Sequence, residues 1–191
     1  MKIIFDFDDV LFKNSEKFKD YLFDCIERAG ISRGVAVEEY KKVRNTYVPF
    51  SLKSFIGYLV RQKNLGLDHI QDLYSDIMDE KIKDFLNTEL IEIAKHAGRS
   101  NCYLVTNGDE EFQKAKVVVT EVESLFTEIF YVPKSKKEAI EKICRDNNTD
   151  KLIFIEDREK FIEDLDMSQC PNLTIILFDE QGLQKVKAAL A

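Results

Sequence analysis

Five short apolar runs punctuate the chain, at residues 2–5, 102–105, 128–132, 152–155 and 173–178. Several hold consecutive apolar residues instead of alternating ones, the pattern of strands covered on both faces, as in a parallel sheet. Apolar positions at helical spacing lie between them. Ala139, Ile140 and Ile143 share one face of residues 136–145, and Leu183, Val186 and Leu190 share one face of residues 182–190. Strand–helix alternation of this kind predicts an α/β fold with a doubly wound parallel sheet.

The spacing is uneven once. Residues 6–101 separate the first strand from the second, far more than one crossover helix requires. That stretch reads as helix. Asn14 or Ser15 is placed to cap a helix carrying Phe18, Tyr21, Leu22, Cys25, Ile26 and Ala29, with Gly30 as its stop. Further helical patterns cover residues 37–47, 52–62, 70–85 and 90–97, punctuated by Pro49 and Gly66. The last leads back to the second strand. The expected organisation is a core of residues 1–13 and 88–191, with a helical insertion of residues 14–87 above the sheet.

The charge balance narrows the partners. Lys and Arg number 28 against 35 Asp and Glu, a formal charge of −7. Such a surface weighs against nucleic-acid binding, which needs clustered cations, yet one local cation can still serve a small phosphorylated substrate. No run of about 18 apolar residues suggests a membrane span, and acids arrive by the sixth residue with no secretory leader before them. The expected compartment is the cytoplasm. Cys25, Cys102, Cys144 and Cys170 are far apart and form no CxxC pair. With only His69 and His96 beside them, a zinc site is not expected, and the cysteines read as four buried thiols. Both histidines read as surface residues on helices.

Candidate chemistry lies just after the strands, because ligands of open parallel sheets bind outside the carboxyl ends. Asp6-Phe7-Asp8-Asp9 follows the first run, Thr106-Asn107-Gly108 the second and Glu156-Asp157 the fourth. Pro133-Lys134-Ser135-Lys136-Lys137 lies between the third and fourth. Asp6, Asp8 and Asp157 would crowd negative charge, which is relieved by protonation or by a cation. Mg²⁺ suits carboxylate oxygens, usually together with phosphate. A carboxylate can attack phosphorus, a second can move the proton, and a hydroxyl, an amide and a lysine can hold the transferring group.

These motifs, in this order, resemble those of the haloacid dehalogenase (HAD) superfamily. IIFDFDDV is similar to its first motif, CYLVTNG to its second and LIFIEDR to its fourth. The resemblance implies a five-stranded sheet in the order 3-2-1-4-5 and a helical cap. It implies Asp6 as nucleophile and Mg²⁺ ligand, and Asp8 as general acid/base that also binds the metal through its backbone carbonyl. Thr106 and the amide of Asn107 would bind phosphate, and Asp157 would anchor the metal. For the third motif Lys136 is favoured for catalysis and phosphate binding, with Lys134 as its rival. The fourth motif departs from the family where Phe161 stands in place of a further acid, and Glu156 is a candidate substitute.

The implied activity is a Mg²⁺-dependent phosphatase acting on a small phosphorylated metabolite through an aspartyl-phosphate. The alternatives are a phosphomutase or other phosphotransferase, and a non-catalytic HAD-like binding protein. Arg44, Tyr47, Lys53 and Arg61 are candidates for substrate selection from the cap. Asp9 reads as a turn cap, Arg158, Glu159 and Lys160 as a solvated face, and most aromatic residues of the insertion as cap core.

Overall fold

In the computed structural model, which describes every residue except Tyr47, Val48, Leu65 and Leu67, strand β1 (Lys2–Phe5) is buried on both faces. Ile4 packs on one side of the sheet, and Ile3 and Phe5 on the other. The same alternation divides Leu152 and Phe154 from Ile153 and Ile155 on β4 (Leu152–Glu156). Period-two burial of both faces is why residues 3–5 and 152–155 are all apolar. With β2 (Cys102–Asn107), β3 (Glu128–Val132) and β5 (Leu173–Leu177), the described residues form one five-stranded parallel sheet. Its order is β3-β2-β1-β4-β5, as expected, so β1 is central.

Helices α1 (Lys19–Arg28), α2 (Arg33–Thr46), α3 (Leu52–Gln62) and α4 (Asp68–Ile77) occupy the long connection after β1. Asp9, held at φ 63°, accepts from both the backbone amide and the hydroxyl of Ser15 at 2.6 Å, which starts the helical turn leading into α1. The expected single pattern over 70–85 divides at Asp79. Its extended backbone and its carboxylate, which accepts from the Lys81 amide, begin a separate tight turn at Glu80–Phe85. α5 (Thr88–Ala97) then returns the chain to β2. Aromatic contacts link these helices to the loop after β1 and to Phe112, beyond β2: Phe12 meets Phe18, Phe18 meets Phe112, and Phe112 meets Phe50.

α6 (Glu110–Val119), α7 (Lys137–Asp146), α8 (Glu159–Glu163) and α9 (Gly182–Leu190) complete the described helices. α6 is absent from the hydrophobic pattern because half of its inward face is polar: Gln113 and Lys116 are buried beside Phe112 and Val117. All four cysteines are buried, but the reading of four thiols is corrected. Cys144 on α7 and Cys170 before β5 form a disulfide across a Cα separation of 5.4 Å, leaving Cys25 and Cys102 as thiols. Their sequence separation of 26 conceals that both pack on one face of the sheet. His69 and His96 are exposed on helices, as expected. Among the described residues no helix is long and apolar enough to cross a membrane.

Candidate metal and phosphate site

The carboxyl end of the sheet is where the acids gather. Pairing with β4 fixes the backbone of Asp6, whose amide donates to the Ile155 carbonyl at 3.0 Å. Glu156 closes β4 and Asp157 follows it. Oxygen atoms of Asp6, Glu156 and Asp157 lie within 4.8 Å of one another. Lys136, at the start of α7, reaches into this group. Its Nζ lies 2.6 Å from Asp6 Oδ1 and 2.5 Å from Glu156 Oε2. Lys136 is 1% exposed, whereas Lys134 is exposed, so geometry favours Lys136. Phe161, in place of the further acid, lays its ring 4.7 Å from the Lys136 ammonium.

Three carboxylates and one ammonium leave two negative charges in a nearly dry site. Burial pushes Asp6 up to about 6, and Asp8 and Asp157 add to the rise against the opposing pull of Lys136. Burial, then Glu156, pushes Asp157 up to about 6. Glu156 is raised by burial and by Asp6. The folded pKa values of Asp6 and Asp157 exceed their unfolded ones. Without a counter-ion these groups therefore favour the fold below pH about 4, and that contribution is lost as pH rises through about 6. Asp157 Oδ1 is buried with no hydrogen-bond partner among the described residues. A divalent cation fits this set, since it matches the residual charge and gives that oxygen a partner.

Thr106, fully buried near the end of β2, also has a hydroxyl without a partner among the described residues. A buried polar atom left unsatisfied costs free energy, so it marks a place where a ligand oxygen belongs. Asn107 spends its side chain elsewhere, donating to the carbonyls of Val132 at 3.1 Å and Lys134 at 2.6 Å. It thereby ties β2 to the loop that carries Lys136.

Asp8 is held differently. Its carboxylate is outside the close-set trio, so the expected metal role of Asp8 is left to its backbone carbonyl. Lys116 Nζ donates to Asp8 Oδ1, and Gln113 Nε2 donates to Oδ2 at 2.9 Å. Lys116 is fully buried among the rings of Phe7, Phe12 and Phe112 at 5.5, 5.4 and 4.7 Å. Gln113 also donates to the Asn107 carbonyl at 3.2 Å. Gly108, at φ 150°, makes room for it, because a Cβ there would sit 2.8 Å from Gln113 Nε2. Gln113 and Lys116 were not anticipated from the sequence. Their signal is a polar pair three residues apart on the apolar stripe of a helix.

No protein-family model matches the chain, and no curated protein matches its sequence. Its structure is similar to that of a protein of Burkholderia xenovorans described as a haloacid dehalogenase-like hydrolase (TM-score 0.69, 13% identity, 96% of this chain and 89% of that one). A protein of Thermotoga maritima described as a beta-phosphoglucomutase aligns with TM-score 0.58 at 12% identity, over 98% and 99%. The HAD-hydrolase YfnB of Bacillus subtilis, solved bound to magnesium, aligns with TM-score 0.55 at 14% identity, over 99% and 97%. The fold is HAD-like. Dehalogenases share it as well, so the fold alone does not select the chemistry.

Beside the acids, the HAD-like sheet opens into a cleft of about 210 Å³. Asp8, Asn107 and Gln113 line it, with Phe18, Tyr40, Phe50 and Phe112 as apolar wall. Arg158 and Lys160 line it too, which corrects their reading as a purely solvated face; Glu159 is exposed. Of the four cap candidates, Arg44 lines the cleft. Lys53 instead pairs with Glu111 beside the Tyr74 ring, Arg61 borders a separate pocket, and Tyr47 lies outside the described residues. A larger cavity of about 550 Å³ lies between α5 and α9. Asp8, two residues after Asp6, lines the smaller cleft and not this one, so chemistry, not size, identifies the candidate site.

Proposed function

We propose that the protein is a Mg²⁺-dependent phosphatase that hydrolyses a small phosphomonoester through a phosphoryl group carried on Asp6. The single observation that carries this reading is the gathering of Asp6, Asp157 and Lys136 at one sheet edge, within a fold that hydrolases share. Asp6 and Asp157, with the backbone carbonyl of Asp8, would hold the ion. Once bound, Mg²⁺ supplies positive charge that offsets the phosphoryl oxygens and the crowded carboxylates.

The chain's own groups divide the remaining work. A carboxylate oxygen of Asp6 forms a bond to phosphorus as the ester oxygen leaves. Asp8 gives that oxygen its proton, then takes one from the water that breaks the Asp6–phosphorus bond. Lys116 and Gln113 fix the Asp8 carboxylate on the cleft wall. Lys136 offsets charge developing on the phosphoryl oxygens, and Thr106 donates its hydroxyl to one of them. Glu156 keeps Lys136 extended towards Asp6, which supplies a carboxylate where Phe161 cannot. Residues 14–87 act as a cap that excludes water and limits substrate size.

Release of phosphate from an aryl phosphate is the direct test. Turnover is expected with Mg²⁺ and not with EDTA; metal-independent turnover, or none across a broad phosphomonoester panel, refutes the reading. A second expectation follows from the raised carboxylates. Protons compete with the cation below pH about 6, so the rise in melting temperature on adding Mg²⁺ is expected to be several degrees at pH 7.5. At pH 5 it is expected to fall to less than about a third of that. Differential scanning fluorimetry at both pH values measures it, and an equal rise at both speaks against these ligands.

A further inference from the structure

We infer that the substrate is a short phosphomonoester carrying a second anionic group, which the cations of the cleft wall bind; this rests on the phosphatase reading. Lys19 from α1, Arg44 from α2 and Lys160 from α8 line the same cleft as Asp8. None of the three forms an ion pair among the described residues, in a chain whose acids outnumber its bases by 35 to 28. Arg33, Lys42, Lys142 and Lys187, on other surfaces, each meet a carboxylate.

The acids of this wall are already committed. Asp8 is held by Lys116 and Gln113, and Asp109 accepts from the Phe112 amide at the start of α6. The cations keep only weaker contacts. Lys19 donates to the Ser15 hydroxyl at 3.0 Å, and Lys160 lies 4.6 Å from the Phe161 ring. Partial burial, then repulsion from Arg44, holds the Lys19 ammonium below its usual range, so positive charge is crowded here. An anion between them relieves that crowding.

The transferring phosphoryl group does not answer this need, because Lys136 and Thr106 serve it at the sheet edge. A second anion does. The cleft volume of about 210 Å³ is below the usual range for drug-sized ligands and selects a frame of few carbons. Phe18 and Phe112 would pack against that frame. The anion is a carboxylate or a second phosphate, and the cations accept either.

The test uses the full chain with Mg²⁺ and three matched substrate series on short carbon frames of graded length. One series is an alkyl phosphate with a neutral tail, one ends in a carboxylate and one in a second phosphate. The aryl phosphate runs beside them as the measure of the phosphatase reading. The wild type is expected to favour one anionic series over the neutral one by about tenfold or more in kcat/KM, the preferred series identifying the anion. In Arg44→Gln and in Lys160→Gln, that preference is expected to fall by about tenfold. Arg44 and Lys160 are exposed and on separate helices, so at least one variant keeps the fold. Equal kcat/KM for neutral and anionic series, with Mg²⁺-dependent aryl phosphate turnover intact, overturns this inference and leaves the phosphatase reading standing. An anionic preference that neither substitution alters also overturns it. No turnover of any ester removes both.

Discussion

Asp6→Asn is expected to lower turnover by about four orders of magnitude or more while making the metal-free protein more stable. The loss follows from the chemistry, since an amide oxygen is a poor nucleophile and removing a catalytic nucleophile has effects of that size. The gain follows from burial. Asp6 is 4% exposed and its pKa is raised to about 6, so near neutral pH the ionised form works against the fold. A rise of about two units corresponds to about 3 kcal/mol at most. Part of that is returned because Lys136 loses one of its two partners. A net gain of about 1–2 kcal/mol is therefore expected at pH 7.5 in EDTA. Mg²⁺ is expected to reverse the order by stabilising the wild type alone. Phosphate-release kinetics and chemical denaturation check both halves. Retained turnover in Asp6→Asn moves the nucleophile elsewhere.

Lys136→Met is expected to cost both activity and stability. The substitution leaves Asp6 and Glu156 buried without their shared cation, and breaking a buried pair from one side costs about 3–5 kcal/mol. Loss of the charge facing the transferring group lowers kcat by about a thousandfold. The double variant Lys136→Met/Glu156→Gln is expected to recover part of the stability and none of the activity. That split separates support of the fold from action on the substrate. Lys134→Met, on an exposed side chain, is expected to stay close to wild type in both respects. Equal damage from the two lysine substitutions contradicts the placement of Lys136.

The strands were legible because burial on both faces leaves apolar runs, and the ends of those runs located Asp6, Thr106 and Asp157 at one edge. The choice between Lys134 and Lys136 needed coordinates, since both precede the same helix and only burial tells them apart. The α6 contribution stayed hidden for a physical reason. A helix that buries Gln113 and Lys116 to hold Asp8 sacrifices the apolar periodicity by which helices are read. Arg158 and Lys160 read as solvated because charge in a short stretch does not say whether it faces bulk water or a cleft. The Cys144–Cys170 disulfide depends on two distant segments packing on one sheet face, and spacing carries no such information.

The most direct test of the central claim is anomalous diffraction from crystals of the protein soaked with Mn²⁺, a scattering stand-in for Mg²⁺. The account predicts one strong peak beside the carboxylates of Asp6 and Asp157. No peak there, or a peak away from both residues, contradicts it.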